Sequence, residues 1–491
     1  MTIKFSALIL AIFICTNYLT AQNVIDAVRY SNIQLDGDAR FTAMGGAFGA
    51  LGADASSNII NPAGYGRYSN SYVSITGLYT RVNAKSNFME NNLETQKGNG
   101  KLGNLSLILT KDISRNNQGF LFQQFGFSYN RLANFTAQKR YQGLEHSSLL
   151  DDFAAAGNGL SPTDFPPFTT MLAWNTYAID PSSTDSLSYV ANLAASDSMF
   201  HQRTINTKGG MGNYSFNYSI NYINKLYFGV NLGLSSINYQ EDYTHREYNN
   251  PNSIASVDSF NYSYALRTRG VGFNFNLGAI YVPNPYLRLG LAFHSKTYYN
   301  LKDDWSANMI TYTTNGAYTI PDENIPVGNY KYRYQSAARW TGSVAAVFGS
   351  HGAISLDVDF VNYQGNKLRS TKDIAYDPEP SDYANQDAEI KEKLRPTANI
   401  RLGGEFVIAN NYFIRLGYGF YPQPYKKQYS TSFQATSVYS AGIGVRFARI
   451  CSFDFAYKLQ NNNFDYVEYE GSVAHFKQSS QYFVGTLSFR F

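Results

Sequence analysis

The residues of this sequence that could do chemistry are charged side chains spaced two or four apart within apolar segments. Asp357 and Asp359 flank Val358, and Arg401 and Glu405 lie in a later segment. Side chains at such spacings share one face of a β-strand. Buried carboxylates pair with Arg, which can also bind a ligand carboxylate. We expect mainly structural ion pairs, with ligand binding as the alternative, on a face that carries Arg288, Asp357, Asp359, Arg401, Glu405, Arg415, Arg446, Asp454 and Arg490.

Motifs for catalysis and metal binding are absent from the sequence. It contains no GxSxG and no HExxH motif. Its six histidines are scattered one per loop, turn or strand end, at His146, His201, His245, His294, His351 and His475. Once an N-terminal leader is removed, Cys451 is the only cysteine, which excludes an internal disulfide and a cysteine-based zinc site. We therefore predict no enzyme activity, no metal site and no cofactor.

The segments that carry these charges are predicted to be β-strands with one apolar and one polar face. In residues 213–222 (NYSFNYSINY), Tyr, Phe and Ile alternate with Asn and Ser. Aromatic residues make up 16% of the chain and 39 Gly accompany them, yet the mean hydropathy is −0.31. A soluble β-sandwich would not carry aromatics at this density over so many long strands. Because no long apolar run follows the first twenty or so positions, membrane-spanning helices are excluded. The pattern favours a barrel with a lipid-facing exterior.

Turn signals divide the chain into fourteen strands. The number is even, and the series of strands starts and finishes on the side of the short turns, as a single-chain outer-membrane barrel requires. Short connections at 113–118, 224–225, 283–286, 349–352, 410–411 and 448–451 alternate with long polar ones. The strands are placed near 71–84, 102–112, 118–138, 206–223, 226–246, 258–282, 286–300, 329–349, 352–368, 394–409, 412–427, 434–448, 452–467 and 474–491. The last strand ends on Phe491 and resembles the signal that barrel assembly machinery reads.

The N-terminus predicts export. Lys4, an apolar core over 5–15 and small residues before Gln22 form a secretory signal peptide, residues 1–21, cleaved after Ala21. The apolar stretch is too short for a signal anchor. Export and a barrel together predict location in the cell outer membrane.

Residues 22–70 break the alternation and are rich in small residues. Gly46, Gly49 and Gly52 have the spacing GxxGxxG with no preceding strand, which does not match a nucleotide-binding loop. A segment this short cannot hold its own core, so we expect it to plug the lumen. The chain then divides into a signal peptide (1–21), an N-terminal hatch (22–70) and a transmembrane β-barrel (71–491) with long extracellular loops, notably 142–203.

The hatch segment resembles that of a known family. Residues 39–48 (ARFTAMGGAF), followed by Asn61-Pro62-Ala63-Gly64, are similar to the hatch and Asn-Pro-Ala motif of the FadL/TodX outer-membrane channels for long-chain fatty acids and hydrocarbons. Similar segments lie at 354–363, 399–406, 414–418, 440–446 and 454–457. The resemblance covers nearly the whole mature chain and is weakest in the long loops. It implies a fourteen-stranded barrel plugged by its hatch, with ligands passing through a lumenal pocket and leaving sideways through a gap in the wall.

Three sets of candidate site residues follow. Ligand-pocket candidates in the hatch are Phe41, Met44, Phe48, Asn61, Pro62 and Ala63; the three large apolar ones could instead anchor the hatch. An extracellular groove, weighed evenly against plain loop packing, would use Leu149, Phe153, Phe165, Phe168, Leu172 and Trp174. The lumenal charge network would comprise Arg40, Asp357, Asp359, Arg401, Glu405, Arg415 and Arg446, with Asp54 as a further hatch partner.

The function expected from the resemblance is passive uptake of hydrophobic compounds such as long-chain fatty acids. The alternative is a structural barrel subunit of an outer-membrane assembly or secretion complex, since an apolar outer loop could equally dock a protein. An open porin is disfavoured by the hatch. Expected partners are outer-membrane lipid and lipopolysaccharide, the barrel assembly machinery through the C-terminal strand, hydrophobic small molecules and, in the alternative, other outer-membrane proteins. A net charge of +4 is too small to suggest nucleic acid.

Overall fold

Fourteen antiparallel strands close into one barrel in the computed structural model of this chain. The structure describes residues 24–33, 35–114, 119–193, 199–249, 256–370, 383–409, 411–429, 434–447, 450–469 and 472–491. The predicted signal peptide lies outside the described residues. No described helix is both long and apolar enough to cross a membrane.

The barrel strands, four of which are interrupted, have the following bounds: β1 (Tyr72–Phe88), β2 (Asn91–Asp112), β3 (Phe120–Asn134 and Ala137–Glu145), β4 (Met199–Tyr222), β5 (Leu226–Tyr248), β6 (Val257–Asn284), β7 (Leu287–His294 and Tyr298–Thr313), β8 (Val327–Gln335 and Arg339–Val347), β9 (Gly352–Asn362 and Lys367–Ser370), β10 (Pro396–Ile408), β11 (Tyr412–Tyr421), β12 (Thr436–Phe447), β13 (Cys451–Tyr469) and β14 (Ser472–Arg490).

The first and last strands pair with each other and close the barrel. Tyr72 of β1 pairs with Arg490 of β14, and the ladder continues to Asn87 and His475. Aromatic side chains face outward in cross-strand pairs; the rings of Phe127 and Phe216, for example, lie 5.3 Å apart. An outward apolar surface with polar side chains inside is the arrangement that lipid requires of a barrel. The prediction of a fourteen-stranded barrel is confirmed.

One predicted connection is wrong. Residues 85–101 form no long loop, because β1 and β2 continue to a two-residue turn at Met89 and Glu90, whose φ angles are +44° and +63°. Both turn residues are in the left-handed region, as a type I′ hairpin requires. Beyond the membrane the strands have polar side chains on both faces, so the ladder persists after the alternation has ended.

The N-terminal region lies inside the barrel. It contains α1 (Val24–Ser31), α2 (Ala39–Ala43) and two short 3₁₀ helices, Ser57–Ile59 and Pro62–Arg67. Asp38 caps α2 by accepting a hydrogen bond of 2.8 Å from the backbone N–H of Phe41. All residues from 35 to 66 are buried except Arg40, Gly45 and Ala53, which are partly buried. Such burial of a segment with no core of its own fits a plug.

The connection between β3 and β4 folds over the barrel mouth. It carries α3 (Leu149–Gly157), α4 (Thr170–Asn175) and two short paired strands, Ile179–Pro181 and Tyr189–Ala191. The Ser148 hydroxyl accepts a hydrogen bond from the N–H of Leu150, and the Asp151 carboxylate accepts one from the N–H of Ser148. This capping box fixes the start of α3. A further helix, α5 (Ala384–Lys393), lies between β9 and β10.

Candidate functional site

The Asn-Pro-Ala motif fastens the hatch to the barrel wall. The Asn61 side-chain amide donates a hydrogen bond of 3.0 Å to the carbonyl of Ala279 in β6, and its oxygen accepts one from the N–H of Ala63. The carbonyl of Pro62 accepts a hydrogen bond of 2.8 Å from the hydroxyl of Ser219 in β4. All three motif residues are buried. The motif thus joins the hatch to β4 and β6, and its three residues do not line the largest described group of lumenal contacts around α1; their role in a ligand pocket stays a prediction.

Inward-facing glycines let the hatch backbone approach the wall. A Cβ atom added to Gly403 would lie 2.4 Å from the carbonyl oxygen of Met44, and one added to Gly417 would lie 2.2 Å from the nitrogen of Gly45. Both distances are too short for any side chain larger than hydrogen. The same close approach to hatch atoms occurs at Gly229, Gly278 and Gly290. Glycine opposite the lipid-facing aromatics is thus a packing requirement of the plug.

A charge network joins the hatch to β10, β11 and β13. Arg40 donates two hydrogen bonds of 2.8 Å to the two carboxylate oxygens of Glu405. Arg415 donates one of 2.6 Å to Glu405 and one of 2.6 Å to Asp454. The second hatch partner, Asp54, lies 3.7 Å from a guanidinium nitrogen of Arg40. Bidentate Arg–carboxylate bonds are strong and directional, so this network fixes the hatch in one register.

A second network holds the neighbouring part of the hatch. Arg401, which is fully buried, contacts both oxygens of Asp359, one of them at 2.9 Å, and lies 3.4 Å from Asp357. Asp357 in turn accepts a hydrogen bond of 3.0 Å from the N–H of Gly49. Arg401 therefore pairs with both oxygens of Asp359, whereas Asp357 uses its Oδ2 for Arg401 and for Gly49.

Arg446 lies at the edge of the first charge network without a direct ion pair to it. Among the described residues it forms no ion pair, and its guanidinium lies 5.0 Å from the centre of the Phe413 ring. Arg446 pairs across the sheet with Ser452, two positions closer to the periplasmic turn than the Gly444–Asp454 pair. Arg415 lies over the same ring, at 5.2 Å, so Arg446 borders the network, and its membership of the network stays a prediction.

Phe41, Met44 and Phe48 lie in the interior of the hatch. None of the three is exposed to solvent, and the rings of Phe41 and Phe48 stack with their centres 5.6 Å apart. They do not line the lumenal cavity, and their position fits the alternative prediction that they anchor the hatch. Large apolar residues are favoured both in the interior of a plug and around a hydrophobic ligand. The sequence alone therefore does not distinguish an anchoring residue from a pocket residue.

The lumenal cavity lies between α1, the Ser57–Ile59 turn and the barrel wall. One part of its lining is apolar or aromatic: Tyr30, Ile33, Leu35, Ile59, Leu132, Tyr299, Val361, Tyr363 and Tyr421. The other is polar: Asn58, Asn213, Asn231, Ser235, Asn274, Asn276, His294, Arg339, Asp359 and Asn399. Sequence alternation places several of these Asn side chains inside, but nothing in the sequence indicated that they surround a cavity. Its surface suits a ligand with both an apolar and a polar part.

The predicted groove residues pack into the outer loop. Leu149, Phe153, Phe165 and Leu172 are buried in one cluster with Phe260, Tyr262 and Met309 of the barrel rim, and Phe168 and Trp174 are partly buried against it. The ring of Phe153 lies 5.2 Å from that of Tyr262. Loop packing, the second of the two predicted possibilities, describes their position.

The hydrogen-bonded ladder between β2 and β3 stops partway along the strands, and we call this interruption the β2–β3 gap. These strands pair from Asp112 and Phe122 up to Asn104 and Asn130, and in the described part of both strands no ladder pair follows beyond that point. β2 continues to pair with β1, and β3 continues to pair with β4 as far as Glu145. Beyond Asn104 and Asn130 side chains join the two strands in place of ladder pairs; the Thr95 hydroxyl, for example, donates a hydrogen bond of 2.6 Å to the carbonyl of Gln138. A break in the ladder inside lipid is tolerated only where other groups satisfy the backbone.

The outer half of β3 turns into the lumen at this gap. The centre of the Tyr141 ring in β3 lies 4.9 Å from that of the Phe88 ring in β1, and both side chains are buried. Side chains cross the gap in place of backbone pairs: Asn99 donates a hydrogen bond of 2.9 Å to the hydroxyl of Thr136. Leu132, two residues beyond the last β2–β3 pair, lines the lumenal cavity. The cavity thus reaches the part of the wall where the ladder ends.

Several solved structures have a fold similar to that of this chain. A Pseudomonas aeruginosa FadL homologue matches 94% of this chain and 100% of its own, with a TM-score of 0.56 and 13% identity. The chain has the FadL/TodX fold. The P. putida toluene transporter TodX covers 93% of this chain and 99% of its own (TM-score 0.53, 12% identity), and the CymD monoaromatic hydrocarbon channel covers 94% and 99% (TM-score 0.50, 13% identity). No protein-family model and no curated protein gives a significant match to the sequence.

Proposed function

We propose that this protein is an outer-membrane channel that takes up hydrophobic compounds passively and releases them sideways through the wall between β2 and β3. The observation that carries the proposal is the end of the β2–β3 ladder at Asn104 and Asn130, next to a cavity that reaches Leu132. The buried hatch occupies the lumen, which favours an exit through the wall. Two of the solved structures with this fold are a toluene transporter and a monoaromatic hydrocarbon channel.

The cavity lining favours an amphiphilic ligand such as a long-chain fatty acid. Arg339 lines the cavity, and its ion pair with Asp359 is long, at 3.9 Å, whereas Asp359 contacts Arg401 more closely. Arg339 also donates a hydrogen bond of 3.0 Å to the carbonyl of Ile59. We assign the polar end of the ligand to Arg339, because a guanidinium binds a carboxylate through charge-assisted bonds. The apolar lining then receives the chain.

The compounds that remain bound after purification test this function. Protein extracted in mild detergent is expected to carry one fatty acid or hydrocarbon per chain, identified by mass spectrometry. Arg339→Met should weaken rebinding of a labelled fatty acid by roughly 10- to 100-fold, the value of a hydrogen bond to a charged group. Arg333→Met is the matched control, since Arg333 lies on the same strand, is exposed and does not line the cavity.

Two results would count against uptake. An empty cavity together with stably co-purifying membrane proteins would favour the alternative, a subunit of an outer-membrane complex. Equal affinity of the Arg339→Met and Arg333→Met variants for a fatty acid would remove Arg339 from the ligand site.

A further inference from the structure

Two histidines that are far apart in the sequence meet a glutamate at the extracellular end of the barrel. His201 of β4 pairs directly with Glu247 of β5, and Arg203 pairs with His245, so the three side chains share the inward face. The nitrogen Nε2 of His245 lies 2.7 Å from Oε1 of Glu247, and Nδ1 of His201 lies 3.7 Å from the same oxygen. All three residues are buried, with at most 1% of their surface exposed.

We propose that His201, His245 and Glu247 form a zinc site. One donor atom from each of the three lies within 4.8 Å of the others. Two imidazoles and one carboxylate are a known zinc donor set, with metal–ligand distances of about 2.0–2.2 Å. Such bonds place tetrahedral ligands about 3.3 Å apart, and the observed separations of 2.7 and 3.7 Å lie on either side of that value. To receive the ion, the His245–Glu247 contact would lengthen and the His201–Glu247 contact would shorten, and water would complete the coordination.

The surroundings of Glu247 show what the ion would do. Its Oε2 accepts a hydrogen bond of 2.5 Å from the Ser148 hydroxyl, and its Oε1 accepts one of 2.8 Å from the N–H of Leu149. Ser148 is the N-cap of α3, so one carboxylate joins the outer loop to the barrel rim. Hydrogen bonds from surrounding groups to a metal-ligating side chain orient that side chain and are characteristic of metal sites. Zinc bound here would fix the base of the outer loop.

A structural role fits this site better than a catalytic one. The three side chains are closed off from solvent, so a substrate could not reach the ion. The neighbouring cation on the same face, Arg203, contacts other groups. It donates a hydrogen bond of 3.2 Å to the hydroxyl of Tyr466, and its guanidinium lies 4.6 Å from the centre of the Tyr243 ring. The inference is independent of the proposed transport function, because it concerns the attachment of the loop.

Zinc binding to the full-length protein in detergent tests the inference. Chelator-treated protein is expected to bind one Zn²⁺ per chain in competition with a chromophoric chelator, and bound Co²⁺ should show the visible absorption of four-coordinate cobalt. His245→Gln and Glu247→Gln should each weaken binding by about 100-fold or more, since loss of an outer partner alone costs about 10- to 100-fold. His475→Gln, an exposed histidine on β14, is the control and should bind normally.

Loop attachment supplies a second measurement that does not depend on a variant's folding. Zn²⁺ is expected to slow proteolysis within residues 149–193 of the natural protein, and chelation should restore it. Absence of stoichiometric Zn²⁺ binding by the folded natural chain would overturn the site, as would binding by His245→Gln and Glu247→Gln at the affinity of His475→Gln. Uptake activity is not needed for either measurement, so failure here leaves the transport proposal untouched.

Discussion

Glu405→Gln is expected to destabilise the folded protein by about 3–5 kcal/mol, the cost of removing one partner from a buried ion pair. The Glu405 carboxylate accepts two hydrogen bonds from Arg40 and one from Arg415. Without its charge, two guanidinium groups share the lumen with Asp54 and Asp454 as their remaining carboxylate partners. The measurement is the free energy of unfolding by denaturant in detergent or in lipid vesicles.

A surface pair provides the control for that experiment. Glu94 lies 3.3 Å from Lys85, and both side chains are more than half exposed. Glu94→Gln should therefore change the free energy of unfolding by about 0–1 kcal/mol. If Glu405→Gln falls in the same range, the lumenal network does not hold the hatch.

Valine at both Gly403 and Gly417 is expected to displace the hatch and make the barrel conduct ions. Each added side chain would overlap the hatch backbone at Met44 or Gly45, whereas valine is well suited to the strands themselves. Planar-bilayer recordings should show open-channel currents for this double variant and little current for the natural protein. A variant lacking residues 41–51 sets the conductance of an unplugged barrel.

Glycines without neighbours serve as the matched controls. A Cβ atom at Gly77 or Gly485 would meet no atom within 4 Å, so Gly77→Val and Gly485→Val should conduct no more than the natural protein. Conductance that stays at the natural level after removal of residues 41–51 would show that the segment does not plug the lumen.

The barrel could be predicted from the sequence because lipid enforces strict alternation. Within the membrane every second residue must be apolar, and turns therefore mark each strand. Outside the membrane that constraint ends, which explains why the outer halves of β1 and β2 were mistaken for a long loop. The hatch could be recognised by its small side chains. The wall glycines that pack against it could not be recognised, because that packing joins segments that are far apart in the sequence.

The candidate site was less predictable, because its geometry depends on register and depth. His201 and His245 have no metal-binding spacing along the chain, yet the β4–β5 register places both beside Glu247. Phe41 and Phe48 are of a residue type that often lines ligand pockets, yet their rings stack on each other inside the hatch. The β2–β3 gap leaves no sequence signal, since it arises where the two ladders diverge.

Release through the wall is most directly tested by closing the gap reversibly. Asn99 and Thr136 face each other across it with side-chain atoms 2.9 Å apart. In a Cys451→Ser background, Asn99→Cys with Thr136→Cys should form a disulfide, confirmed by mass spectrometry, if the Cβ atoms approach to about 3.8 Å. Gln142→Cys with Gln202→Cys is the control, because those residues already pair between β3 and β4.

Uptake of a labelled fatty acid by cells or vesicles that carry the protein is the measurement. The oxidised Asn99–Thr136 crosslink is expected to reduce uptake to background and reduction of the disulfide to restore it, while the control crosslink leaves uptake unchanged. Undiminished uptake through a barrel whose crosslink is complete would contradict release between β2 and β3.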